Sequence, residues 1–144
     1  MLVEHILRRK GRRLATVDPQ ATIARALEIL AHDNIGALPV VEGDTIIGMI
    51  SERDVARGLV DRGASLLDTP VSGVMSTRIT TCRPDTNIDD LMTMMTERRI
   101  RHVPVLDDDG SLAGMVSIGD AVKSRLDELE TEAQALRDYV AGVQ

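Results

Sequence analysis

At 144 residues, with a formal net charge of −6, 43% apolar and 28% charged side chains, the chain has the make-up of a compact soluble domain. It contains no apolar run near the ~20 residues of a membrane-spanning helix and no secretory leader pattern at its start. Its single cysteine, Cys82, excludes an intrachain disulfide and makes a reducing cytoplasm the expected compartment.

The first thirteen residues hold a basic cluster, Arg8, Arg9, Lys10, Arg12 and Arg13. A solvated segment accounts for it, and a phosphate contact is the sharper alternative. A nucleic-acid arm fits less well, because the chain is acidic overall and has no Phe or Trp to stack on bases. Leu14 to Val17 predicts a short strand ended by Asp18-Pro19. Ile23, Leu27 and Leu30, with Ala26 and Ala31, give a helix with one apolar face, capped by Thr22. Ala37–Val41 and Thr45–Ile50 flank a Gly-Asp turn and predict a hairpin-like pair. Glu52 to Arg62 predicts a helix that stops at Gly63. A connector, Ala64 to Thr77, is too short to separate independent domains.

The plan then recurs. Ile79–Cys82 is the strand, Arg83-Pro84-Asp85 the break, and Ile88, Leu91, Met92 and Met95 the helical face. His102–Leu106 and Leu112–Val116 flank an acidic turn, Asp107–Asp109, read as solvated in preference to a cation site. After Asp120, Val122, Leu126, Leu129, Ala133, Leu136 and Val140 fall at heptad-like steps on one long helix. That seam suits a second copy of the helix or packing on the same subunit. The division is therefore 1–13 amino-terminal segment, 14–63 first repeat, 64–77 connector, 78–125 second repeat and 126–144 helical extension, within one α+β module of two β-α-β-β-α repeats.

The duplication is explicit in the residues. Ala37-Leu38-Pro39-Val40-Val41 returns 65 residues later as His102-Val103-Pro104-Val105-Leu106, and Gly48 to Asp54 returns 66 later as Gly114 to Asp120. Ser51–Asp54 and Ser117–Asp120 have the form of helix capping boxes. Their helix amino termini also offer free N–H groups to phosphate or hydroxyl oxygens, and the aspartates could accept hydrogen bonds from vicinal ribose hydroxyls. The glycine ahead of each motif admits close approach to the backbone. Pro39 and Pro104 free backbone groups that could meet a base edge. Met49 and Met115 suit either core filling or a pliable pocket wall.

This ordered pair of motifs, apolar-x-Pro followed by Gly-apolar-x-Ser-x-x-Asp, resembles a tandem pair of CBS domains, named after cystathionine β-synthase. Ile100 to Val105 and Ile50 to Val55 are especially similar to small bacterial two-repeat members. The resemblance spans roughly Ala15 to Arg125. It implies repeats related by a pseudo-twofold axis, a disc-like homodimer, and adenosine ligands: AMP, ADP, ATP, S-adenosylmethionine or NAD(H). It further implies that Asp54 and Asp120 bind ribose, that Ser51 and Ser117 touch ribose or phosphate, and that Leu38-Pro39 and Val103-Pro104 frame adenine. The strands around Thr16 and Thr80 would close the pocket.

The repeats are unequal. Arg99, Arg101 and His102 stand where the first repeat has Asn34, Gly36 and Ala37, and Arg53 stands opposite Gly119. Arginine favours phosphate, so the pocket of Val103 and Asp120 is expected to hold an AMP-like moiety more tightly. His102 reads equally as a satisfied core histidine. The resulting expectation is a non-enzymatic adenine-nucleotide sensor (AMP foremost; ATP, ADP or NAD(H) as alternatives) that acts as a homodimer on a separate partner, with no metal, membrane or nucleic acid. A structural CBS pair with vestigial pockets is the alternative. An enzyme is disfavoured, because His5, His32, His102 and Cys82 show no metal-ligand spacing and no nucleophile–base set emerges.

Overall fold

The computed structural model describes residues 1–11 and 14–142; Arg12 and Arg13 of the basic cluster lie outside the described residues. In chain order the elements are α1 (Val3–Lys10), α2 (Ile23–Asp33), β1 (Ala37–Glu42), β2 (Thr45–Ser51), α3 (Glu52–Arg62), α4 (Ile88–Arg98), β3 (His102–Leu106), β4 (Leu112–Ser117) and α5 (Ile118–Val140). Thr22 caps α2 by accepting a hydrogen bond from the Arg25 N–H (3.2 Å). Gly63 ends α3 with φ +63°, a conformation that a side chain would strain.

The two hairpins are copies. Pro39 faces Met49 and Pro104 faces Met115, and both ladders shift register at the same place, after Val40 and after Val105. The expected strands at Leu14–Val17 and Ile79–Cys82 are each reduced to one parallel bridge, Val17 with Val40 and Cys82 with Val105. Proline is the reason. Val17 N–H donates to Pro39 O and Val41 N–H to Val17 O, and extending this ladder either way needs an N–H from Pro39 or Pro19. Pro104 and Pro84 impose the same limit on Cys82.

The amino-terminal segment is not a solvated lead-in. It folds as α1, and Val3 and Ile6 are buried in the core of the second repeat beside Cys82, Ile88, Leu91 and Val103. Val3 N–H donates to Thr86 O (2.9 Å) and Glu4 N–H to Pro84 O (2.8 Å). The connector does the same for the first repeat. Val71 N–H donates to Ala21 O (2.8 Å) and Ser72 N–H to Pro19 O (3.0 Å), while Leu66 and Val71 are buried among Ile23, Leu38 and Ile50. Residues 3–7 and 71–75 are therefore equivalent first elements of the two repeats, each exchanged onto the other's core. Val71 and Ile6 in this exchange each remove an aliphatic side chain from water, ~1.5–3 kcal/mol apiece.

The heptad-like seam of α5 does not pack on its own subunit. Ala121 and Ser124 face the core, whereas Leu126 is 60% and Leu136 64% exposed.

Candidate functional site

Both Ser-x-x-Asp motifs form capping boxes. Ser51 Oγ accepts from Asp54 N–H (3.2 Å) while Ser51 N–H donates to Asp54 Oδ2 (2.9 Å). Ser117 and Asp120 repeat this at 3.1 and 2.9 Å. The structural role does not consume the motif, since the boxes bond Oδ2 and each box opens on a cavity between the repeats.

The larger cavity, about 830 Å³, belongs to Asp54. Ser51, Arg53 and Met49 reach it from the first repeat, and Thr80, Arg99, Arg101 and Pro104 from the second. The smaller, about 580 Å³, belongs to Asp120 and is bordered by Ser117, Met115, Ala15 and Lys10. Each cavity thus pairs one repeat's helix amino terminus with the other repeat's opening segment. The pairing of Arg99 and Arg101 with Asp120 is thereby corrected: both line the Asp54 cavity, as does Arg53, because that cavity is built from both repeats. Pro104 also cannot donate to the Thr80 carbonyl, which leaves that carbonyl without a ladder partner at the Asp54 cavity. The Thr80 hydroxyl accepts from Arg98 Nη1 (3.1 Å).

Several expected residues sit elsewhere. Leu38 and Val103 are fully buried core residues, because strand alternation turns them away from the cavities. Pro39 and Thr16 line neither cavity, and Thr16 is exposed. Gly48 and Gly114 admit the chain itself, although Gly114 also borders the Asp120 cavity. A Cβ on Gly114 would fall 2.6 Å from Leu7 Cδ2, and one on Gly48 2.5 Å from Met75 Sδ.

The basic cluster is partly spent internally. Lys10 Nζ donates to Asp120 Oδ2 (2.7 Å) and to Met115 O (3.0 Å), and Arg9 pairs with Asp127 (2.8 Å). Burial raises the Asp120 pKa, but hydrogen bonds from Lys10 and Ser117 outweigh it and hold the carboxyl below its usual range. Lys10 and Arg57, Arg78 were the cavity residues that the motif spacing missed. Arg78 is discoverable as the counterpart of Lys10 once the exchanged segments are aligned.

His102 borders both cavities, with its ring against Gly36, where a Cβ would lie 3.1 Å from His102 Cε1. Burial lowers its pKa from 6.5, the charges of Lys10 and Arg101 lower it further, and Asp120 and Glu52 oppose this less strongly. A folded-state pKa below the unfolded one means that the unfolded chain binds more protons. The His102 contribution is therefore complete above pH 6.5 and lost as pH falls toward the folded-state value. Urea midpoints measured from pH 7.5 down to 5.5 should decline, and His102→Gln should flatten that decline.

Burial pushes the Cys82 thiol up to about 11, so it is protonated at neutral pH. Among the described residues no group of three His, Cys, Asp or Glu could hold a metal ion. No described helix is long and apolar enough to cross a membrane.

Exchanged first elements, twin hairpins and two cavities at capped helix termini define a tandem-repeat module of one ancestral design. The chain belongs to the CBS-domain family, whose model matches residues 3–61 and 71–127. It is 38% identical over 126 residues to the mitochondrial CBS domain-containing protein CBSX3 of Arabidopsis thaliana, covering 84% of this chain and 61% of that protein's length. The crystal structure of the CBS-domain containing protein ATU1752 from Agrobacterium tumefaciens superposes with a TM-score of 0.82 at 39% identity, covering 87% of this chain and 99% of that one. CBSX2, solved in complex with AMP, gives a TM-score of 0.74 at 26% identity over 88% of this chain and 96% of its own.

Proposed function

We propose that this chain is a non-enzymatic regulatory module that binds an adenine nucleotide in the Asp54 cavity. The observation that carries the reading is the convergence there of a capped helix amino terminus, a ribose-competent carboxylate, the unpartnered Thr80 carbonyl and several arginines. The carbonyl suits the exocyclic amine of adenine, Asp54 the vicinal hydroxyls and the arginines phosphate. Met49, Ile79 and Pro104 supply apolar walls in a chain with almost no aromatics. AMP, ADP, ATP and NAD(H) all offer these groups, and the AMP complex of CBSX2 supports the class. Ligand that prefers one placement of the repeats biases that placement, and so signals to a partner.

Isothermal titration of the purified chain with AMP, ADP, ATP and NAD(H) tests the reading directly. Binding without turnover supports it; no heat and no thermal shift with any of them overturns it.

The exposed α5 seam supports a homodimer as the working form. Leu126 and Leu129 lie on one stripe and are 60% and 43% exposed. Leu126→Asp with Leu129→Asp should halve the mass seen by light scattering while leaving the helical content intact. An unchanged mass would remove α5 from the contact.

A further inference from the structure

We propose that the Asp54 cavity selects ligands with two or more linked phosphates, a nucleoside di- or triphosphate in preference to a monophosphate or an uncharged nucleoside. The inference deepens the nucleotide reading and rests on it only for the purine end.

Five arginines, all exposed to solvent, line this one cavity: Arg53 and Arg57 from α3, Arg78 at the start of the second repeat, and Arg99 and Arg101 from the corner between α4 and β3. Only Glu52 and Asp54 oppose them on its walls. Ion pairs elsewhere engage Arg9, Arg25, Arg83 and Arg125, but among the described residues none engages these five. In an acidic chain, so many unpaired like charges around one space repel one another until an anion enters. Among the described residues the Asp120 cavity has no comparable surplus, since Lys10 is already paired with its aspartate.

Arg99 carries the second, independent argument. It ends α4 in the left-handed region, φ +54°, where its twin Asn34 ends α2 at φ +53°. Asparagine adopts that conformation readily, whereas a long side chain there meets a steric penalty. A costly backbone position filled by arginine at a cavity wall points to a use for the side chain itself. One phosphate accepts one or two bidentate guanidinium contacts, which would leave most of the set uncompensated; a chain of phosphates can reach more of it.

The test is titration of the full chain with ATP, ADP, AMP and adenosine, and with inorganic tripolyphosphate as a purine-free probe. ATP should bind at least about tenfold tighter than AMP, with a preference that shrinks as salt rises, and tripolyphosphate should displace it. Arg99→Asn should weaken ATP about fivefold or more, while the thermal midpoint holds or rises because Asn suits the backbone. Equal affinity for AMP and ATP with no tripolyphosphate binding would overturn the inference and leave the nucleotide reading standing. Tripolyphosphate binding as well as ATP, with Arg99→Asn weakening both, would sustain the inference and defeat the adenine reading. No binding by any probe removes both.

Discussion

A chain lacking residues 1–9 is expected to lose the folded state of its second repeat, although that repeat's own sequence is untouched. Val3 and Ile6 are 0% and 4% exposed within its core. Their removal opens a void beside Leu91 and Val116 and uncovers Gly114, on which Leu7 packs. It also strips partners from the carbonyls of Thr86 and Pro84 and from the Ile88 N–H. Two buried aliphatic side chains account for roughly 3–6 kcal/mol, a large fraction of the ~5–15 kcal/mol by which a domain is stable. The milder Ile6→Ala should cost about 2–5 kcal/mol. Urea unfolding followed by circular dichroism measures both. A truncated chain with an unshifted midpoint would show that α1 is not part of the core.

The two aspartates should separate in function. Asp54→Ala removes the carboxylate expected to hold ribose, and losing two charge-assisted hydrogen bonds there lowers nucleotide affinity by about 100-fold or more. Asp120→Ala should leave affinity within about threefold, because its carboxylate already serves Lys10 and the larger cavity does not include it. Both variants lose the side-chain half of a capping box, about 0.5–1.5 kcal/mol for the hydrogen bond to the cap N–H, and Asp120→Ala should lose more because it also breaks the Lys10 ion pair. A larger loss of affinity in the variant with the smaller loss of stability distinguishes ligand contact from helix capping. Asp120→Ala abolishing binding while Asp54→Ala retained it would reverse the assignment.

Local order was legible in the sequence where a single residue decides it. Thr22 and Ser51 announce helix starts, Gly63 announces a stop, and the repeated hairpins follow from alternation and their turns. The apolar residues at 14–17 and 79–82 suggest strands longer than the chain forms, because Pro19, Pro39, Pro84 and Pro104 supply no N–H to extend the ladders. The first element of each repeat was hidden for a different reason. Val3 and Val71 correspond at an offset of 68, not 65, and the basic run that begins at Arg8 masks the apolar stripe of the first copy. Motif spacing cannot pair Arg99 and Arg101 with Asp54, since it describes one repeat and each cavity is built from two. Leu38 and Val103 flank prolines in the motif yet point into the cores, which only the register of the hairpins reveals.

The exchange of first elements also sets an order of events during synthesis. The carbonyls of Pro19 and Ala21 wait for Ser72 and Val71, so the first repeat is complete only when the connector has emerged. Residues 3–7, made before either hairpin, must wait longer, until the hairpin of 102–117 exists to receive them. Cotranslational folding therefore closes in two steps, and a chain arrested short of β4 has a finished first repeat but leaves residues 3–7 unsheltered.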